Sequence, residues 1–349
     1  MTFISRLLQR TAVPLALTAG LAIAVSGAPA RAETVTVGTA NTSSDVAIYL
    51  ADHRGYFKEA GIEAKTIPFA SAAQMIAPLG TGQLDVGGGT VAAGLYNGVS
   101  RGINLRIVAD KGSIKPGYEY STLVVRKDLV DSGAYKSLRD LKGRKLAAAA
   151  QGAGSESSLN EALKKGGLKF SDVDVVHMGF PEMLTALSNK AIDGGITNEP
   201  TLSLVQQKGI AVRASDVVVY PDQQTAVLLY SEAFMRDRRA LGEKFMVAYV
   251  RALREYNAAL KDGKLIGPGS EEIIRVLIDR TPVKDPEIYR SMIAFAVNPD
   301  GGVNVASLEN DLSFFRERGL ITDPKVKAAD VVDQSFVNAA LRQLGPAAK

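Results

Sequence analysis

Short apolar runs of strand type alternate along the chain with segments whose apolar residues recur at three- and four-residue steps, the helical period. "VTVGTA" (35–40) leads through a loop rich in small hydroxyl residues to a helical segment closing at the glycine of "RGYFKEAG" (54–61), and the same order returns in "RKLAAAAQGAGSESSLNEALKKGG" (144–167). A second apolar stretch follows each time, "AKTIPF" (64–69) and "VDVVHMGF" (173–180), ending in Phe at a predicted helix start. Then come "MIAPLGTGQLDVG" (75–87) and "MLTALSNKAIDGG" (183–195), where Met75, Leu79, Leu84, Asp85 and Gly87 match Met183, Leu187, Ile192, Asp193 and Gly195 at a constant offset of 108. Ser71 with Gln74 and Ser158 with Glu161 have capping-box spacing, and Pro181 suits a first helical turn. Asp85 and Asp193 read as acids that stabilise the turns into their strands.

The unit is therefore strand, helix, strand, helix, strand, used twice. Such alternation predicts an α/β fold with parallel sheets covered on both faces. Two further strand-to-helix segments, "YSTLVVRKDLVDSG" (120–133) and "QTAVLLYSEAFMRD" (224–237), stand where the chain crosses from one lobe to the other and returns. The expected organisation is a leader at 1–32, the first part of lobe 1 at 33–122, lobe 2 at 123–223, and a return strand with C-terminal helices on lobe 1 at 224–349. From Leu241, the stripe Met246, Tyr249, Val250, Leu253, Tyr256 and Leu260 predicts a helix.

The leader changes the reading of the composition. Arg6 and Arg10 precede an apolar stretch from Ala12 to Val25, and small residues run to Ala30-Arg31-Ala32. This is the pattern of a cleavable secretory signal, and the stretch is shorter than the ~20 apolar residues of a membrane span. Export without an N-terminal lipid anchor, into a periplasm, is expected. Removing residues 1–32 takes three arginines and no acid, leaving 38 basic against 37 acidic residues, so the sequence pI of 9.0 overstates the basicity. With no basic run, nucleic acid is not an expected partner. The chain has no cysteine, which removes thiolate chemistry and Cys-based metal sites.

With these elements the chain resembles the periplasmic solute-binding proteins of ATP-driven (ABC) importers, of the nitrate/sulfonate/taurine type. The resemblance is carried, colinearly, by "YLADHRGYFKEAGIEAK" (49–65), "GQLDVGG" (82–88), "STLVVRKDL" (121–129), "SLRDLKGRKLA" (137–147), "AIDGGITNEPT" (191–201) and "LSFFRERGLI" (312–321). It implies a two-lobe periplasmic-binding-protein fold of type II, with the ligand cleft between lobes joined by two crossover strands. It further implies a monomer that captures a small organic solute by hinge closure and delivers it to a permease and ATPase complex in the inner membrane, with no cofactor, metal or catalytic residue. Where many relatives read Trp-Glu-Pro, this chain has Asn198-Glu199-Pro200.

Ligands of open α/β sheets sit beyond the carboxyl ends of the strands. The candidate ligand-binding residues there are Asn41, Thr42, Ser43 and Ser44; Ser71 and Ala72; Gly88, Gly89 and Thr90; Gln151, Gly152, Ala153, Gly154 and Ser155; and Phe180, Thr197, Asn198 and Glu199. Helix N-termini lined with small residues favour acidic groups, and Glu199 suits a donor, so an anionic or zwitterionic solute is expected. Lys111 is a candidate countercharge or a solvated lysine; Tyr118, like Tyr120, stacks on a ring or covers a hinge; Ser71 and Ser158 are also simple caps. A closure from 1:99 to 99:1 needs ~5.5 kcal/mol of differential binding, which a solute of about ten heavy atoms supplies within its ~3–15 kcal/mol range.

Two rival readings remain. A periplasmic ligand sensor for a membrane receptor would share all these features. An enzyme is suggested only by "GGGTVA" (87–92) with Asp110 downstream, which mimics a dinucleotide fingerprint. His53 and His177 read as a solvated helix residue and a structural or cleft-bordering one.

Overall fold

In the computed structural model, residues 31–103, 105–216 and 218–347 are described. The expected leader lies outside them except for its last two residues. From Ala32 onward the chain clusters as one unit built on two five-stranded sheets. The first contains β1 (Glu33–Thr39), β2 (Ile62–Pro68), β3 (Val86–Gly89), β4 (Arg106–Ser113) and β10 (Gln224–Tyr230), in the order β2-β1-β3-β10-β4. The second contains β5 (Ser121–Arg126), β6 (Lys145–Ala148), β7 (Asp174–His177), β8 (Gly194–Asn198) and β9 (Ala211–Arg213), in the order β7-β6-β8-β5-β9. The repeat is visible as topology: β1, β2 and β3 pair in parallel as β6, β7 and β8 do.

Neither sheet is wholly parallel. β10 runs antiparallel to β3 and β4, and β5 to β8 and β9. Each of these strands arrives from the other lobe and so starts at the cleft, where its neighbours end. Restoring the parallel direction would need a crossover of a dozen or more residues, and the segments 114–120 and 214–223 are too short.

The acids of the repeat fasten each lobe. Asp85 Oδ2 accepts from Thr36 N at 2.9 Å, and Asp193 Oδ2 accepts from Lys145 N at 2.9 Å. Each carboxylate thereby ties the loop before the third strand to the first strand of its own sheet.

The helix Arg239–Ala258 buries Met246, Tyr249, Val250, Leu253 and Tyr256 against Val46–His53 and Ser335–Leu344. Leu260 does not continue the stripe: the helix stops at Ala258, and Leu260 enters a hairpin turned by Asp262 and Gly263, both at positive φ. The tail also does not pack on one lobe alone. The helix Val305–Glu317 lies against Gly154–Lys165, with Phe314 5.4 Å from Phe170 between ring centroids and Asp311 Oδ1 accepting from Ser157 Oγ at 2.6 Å.

Candidate functional site

A cavity of about 30 Å³, room for a water or two, lies where the strand ends of both sheets meet. Its first wall is the loop after β1. Asp45 Oδ2 accepts from the backbone N–H groups of Ala40 and Thr42, both at 3.1 Å, which curls the loop so that Thr42 and Ser44 face the cavity. The Thr42-x-x-Asp45 spacing is the sequence signal for this turn. Asn41, at φ 54°, and Ser43 turn elsewhere; Ser43 Oγ donates to Glu199 O of the other lobe at 3.1 Å.

Lys111 is neither solvated nor a free countercharge. It sits within β4, and its Nζ pairs with Asp45 Oδ1 at 2.9 Å and donates to Ser44 Oγ at 2.8 Å, both ionic side chains being 0% exposed. Its ammonium is thus neutralised behind the wall.

At the third strand, Gly89 and Thr90 line the cavity. A Cβ on Gly89 would lie 2.4 Å from Ala72 Cβ, and one on Gly88 2.7 Å from Lys111 Cε. The dinucleotide-like glycines therefore answer to close packing, and Asp110 is enclosed by Gly112 N, Gln224 and Asn298 N. Ala72 packs beneath Gly89 rather than lining the cavity. Ser71 is a helix N-cap by backbone geometry only, without a side-chain cap bond; Gln74 Oε1 instead accepts from Ala70 N at 3.3 Å.

From lobe 2, the helix Gly154–Lys165 begins four residues before Ser158, so Ser158 is no cap. Gly154, Ser155 and Ser158 all face the cavity. Ser158 Oγ lies 3.0 Å from Gly154 O and 2.7 Å from Gln223 Oε1. The rest of that loop joins the lobes: Ala93 N donates to Gly152 O at 2.8 Å, Gly154 N to Val91 O at 3.0 Å, and Ala153 bridges Ala92, while Gln151 is exposed. His177 Nε2 lies 2.8 Å from Glu156 Oε1, and Glu156 Oε2 accepts from Gly152 N at 2.8 Å, so the histidine braces this loop without lining the cavity. His53 meets Glu272 at the surface, 3.1 Å away.

Phe180 and Asn198 complete the lobe 2 wall; Thr197 points to the opposite face of β8 and is buried. Glu199 is 1% exposed and its carboxylate turns back to accept from Ser203 N at 2.9 Å. Burial pushes its pKa up to about 7. The opening it was expected to line is instead reached by its neighbour Asn198.

Tyr118 packs on the core of the first lobe; Tyr120 faces the cavity, its hydroxyl donating to Thr225 Oγ1 at 2.9 Å. Sequence reasoning passed over Ala40, Ser121, Ser158, Gln223, Thr225 and Ala226 as cavity-lining residues. The signal was available for two of them: Gln223-Gln224-Thr225 is a polar triplet opening an otherwise apolar strand, and all three are buried.

Among the described residues, no Lys, Arg, His, Asp or Glu lines this cavity. An anion closed into it would lose several kcal/mol of hydration, against up to ~2 kcal/mol from a well-placed helix N-terminus. The polar groups that line it are hydroxyls and amides, and they serve as donors or acceptors to a polar solute. Among the described residues no cluster of His, Asp and Glu could hold a metal ion, and no helix is long and apolar enough to cross a membrane.

Comparison with known proteins bears on the whole arrangement. A Brachyspira hyodysenteriae protein named as an ABC transporter periplasmic binding protein is 25% identical over 80% of this chain and 82% of its own length. A Bacillus subtilis protein named for aliphatic sulfonates is 24% identical over 85% of each chain. The periplasmic nitrate-binding protein of Synechocystis PCC 6803 superposes with a TM-score of 0.75 at 12% identity, covering 89% of both chains. A desulfurization enzyme also shares the fold, with a TM-score of 0.59 at 16% identity over 89% of this chain and 99% of its own. The fold is thus the two-lobe fold of periplasmic binding proteins, and fold alone leaves chemistry open. Residues 43–260 match the NMT1/THI5-like family model, and the chain belongs to that family.

Proposed function

We propose that this protein is the periplasmic solute-binding component of an ABC importer, acting as a monomer that closes on a small polar organic solute and presents the closed form to a permease and ATPase complex. The observation that carries the reading is a cavity walled by both lobes, with Thr42, Ser44, Gly89 and Thr90 on one side and Gly154, Ser155, Phe180 and Asn198 on the other. Bonds such as Ser43 Oγ to Glu199 O and Ala93 N to Gly152 O span the same boundary. Opening and closing of the lobes would make and break them together, which is the two-state element that solute capture needs.

An enzymatic role finds little support in the cavity: Ser44, the lining hydroxyl beside a basic group, accepts from Lys111, whose ammonium is already paired with Asp45 and so is no free base. The test is native mass spectrometry of the protein purified from its source for a retained small molecule, followed by small-angle scattering with and without that compound. Compaction on adding it is expected, with the compound recovered unchanged. An unchanged scattering profile, or conversion of the compound, would overturn the proposal.

A further inference from the structure

We propose that the cleft selects an uncharged solute, and that Asn198 sets this choice by accepting an N–H or O–H of the solute on its Oδ1. The inference rests on the solute-binding reading above and specifies the solute's charge and a donor group.

Asn198 is the last residue of β8, held in register opposite Ser121 of β5, so a strand rather than a mobile loop fixes its position. It is 7% exposed, lines the cavity, and its Oδ1 has no hydrogen-bond partner among the described residues. A buried amide oxygen left unpaired is unfavourable; a water in the cavity could serve it, and a solute donor that displaces the water takes over that bond. The amide can turn end for end, but either end is uncharged, so the charge class of the site does not depend on its orientation. This is also the position where the resemblance led to an aromatic residue, so the contact belongs to this chain in particular.

Among the described residues no lining side chain offers a countercharge. The buried ammonium of Lys111 is already paired with Asp45 at 2.9 Å, and Arg213, near Glu199, is not a lining residue and donates to Glu119 O at 3.0 Å. The carboxyls of Glu199 and Asp311 lie buried behind the walls, Asp311 Oδ2 being 3.7 Å from where a Cβ on Gly154 would stand. An anionic solute would therefore meet neutral dipoles backed by carboxyl groups, while an uncharged one meets hydroxyls and an amide that match its donors and acceptors.

Three probes of nearly one shape separate the possibilities: methanesulfonamide is neutral with an N–H donor, dimethyl sulfone is neutral without one, and methanesulfonate is an anion. Titration calorimetry on the full mature chain should give methanesulfonamide an affinity at least about tenfold above either of the others, the scale of one buried hydrogen bond made or left unmade. Asn198→Leu should lower methanesulfonamide to the level of dimethyl sulfone while leaving dimethyl sulfone unchanged. Asn198→Asp, which keeps an acceptor if the leucine variant does not fold, should retain methanesulfonamide and weaken methanesulfonate further. Methanesulfonate binding as tightly as methanesulfonamide, or equal loss of all three in Asn198→Leu, would overturn the inference and leave the solute-binding reading intact. If none of the three binds at tens of millimolar, this inference falls, while the solute-binding reading is decided by the retained compound and its effect on the scattering profile.

Discussion

Lys111 shows how far a single residue can depart from its appearance in the sequence. In "DKGSIKPGYEY" it sits beside two glycines and a proline and reads as part of a polar loop, yet it lies within β4 with its ammonium wholly buried. Charge in a strand is legible only when its partner is known, and Asp45 is far away in the chain. Breaking a buried pair by removing one member leaves an uncompensated charge, at a loss of about 3–5 kcal/mol. Lys111→Met should therefore lower the free energy of unfolding by that amount in urea titrations. Adding Asp45→Asn should recover a large part of it, because asparagine no longer carries the stranded charge and can still accept from Ala40 N and Thr42 N. Equal destabilisation by the single and the double variant would show that the pair is not what holds the loop.

At the level of elements, the repeat was the most legible feature, because a constant offset fixes strand and helix order whatever the tertiary setting. Strand direction was not legible: β5 and β10 run antiparallel because of where the chain crosses, which no local pattern records. The helix start near Ser158 was misplaced for a related reason, since the glycine-rich "QGAGS" looks like loop but contributes Gly154 and Ser155 to the first turn. Gly88 and Gly89 are legible in the sequence as candidate ligand-binding positions but not as points of close contact. Gly89→Ala would bring two methyl carbons to 2.4 Å with no torsion able to part them. Overpacking of this kind destabilises by about 1–3 kcal/mol, and the melting temperature of Gly89→Ala should fall accordingly. Ala72→Gly in the same chain should restore most of the loss, since the clashing Cβ is then gone; failure to do so would place the strain elsewhere in β3.

For the whole molecule, the buried acids couple folding to pH, and the direction follows from their burial. Loss of solvation raises Asp110 to about 6 and Glu199 and Asp311 to about 7, from 3.8 for aspartate and 4.5 for glutamate. Between those limits the folded protein binds more protons than the unfolded chain, so stability falls as pH rises. The contribution is complete below about pH 4, declines through 6 for Asp110, and is lost above 7 for the other two. Opposing it, carboxylates such as Asp140 and Glu271, held low by hydrogen bonds to backbone N–H groups or to Arg290, stabilise above their ordinary range and cease to do so in acid. The two trends cross near the ordinary carboxylate range, about pH 4, where the unfolding midpoint in urea should be highest. A fall of several kcal/mol toward pH 7.5 is expected, since each tenfold difference in proton affinity between the folded and unfolded chain is worth ~1.4 kcal/mol. Glu199→Gln and Asp311→Asn keep the acceptors for Ser203 N and Ser157 Oγ while removing the titration. Each should flatten the decline between pH 5 and 7.5 and leave the acid limb unchanged; a decline of undiminished slope in both would mean that these carboxyls titrate in the folded protein as they do in water.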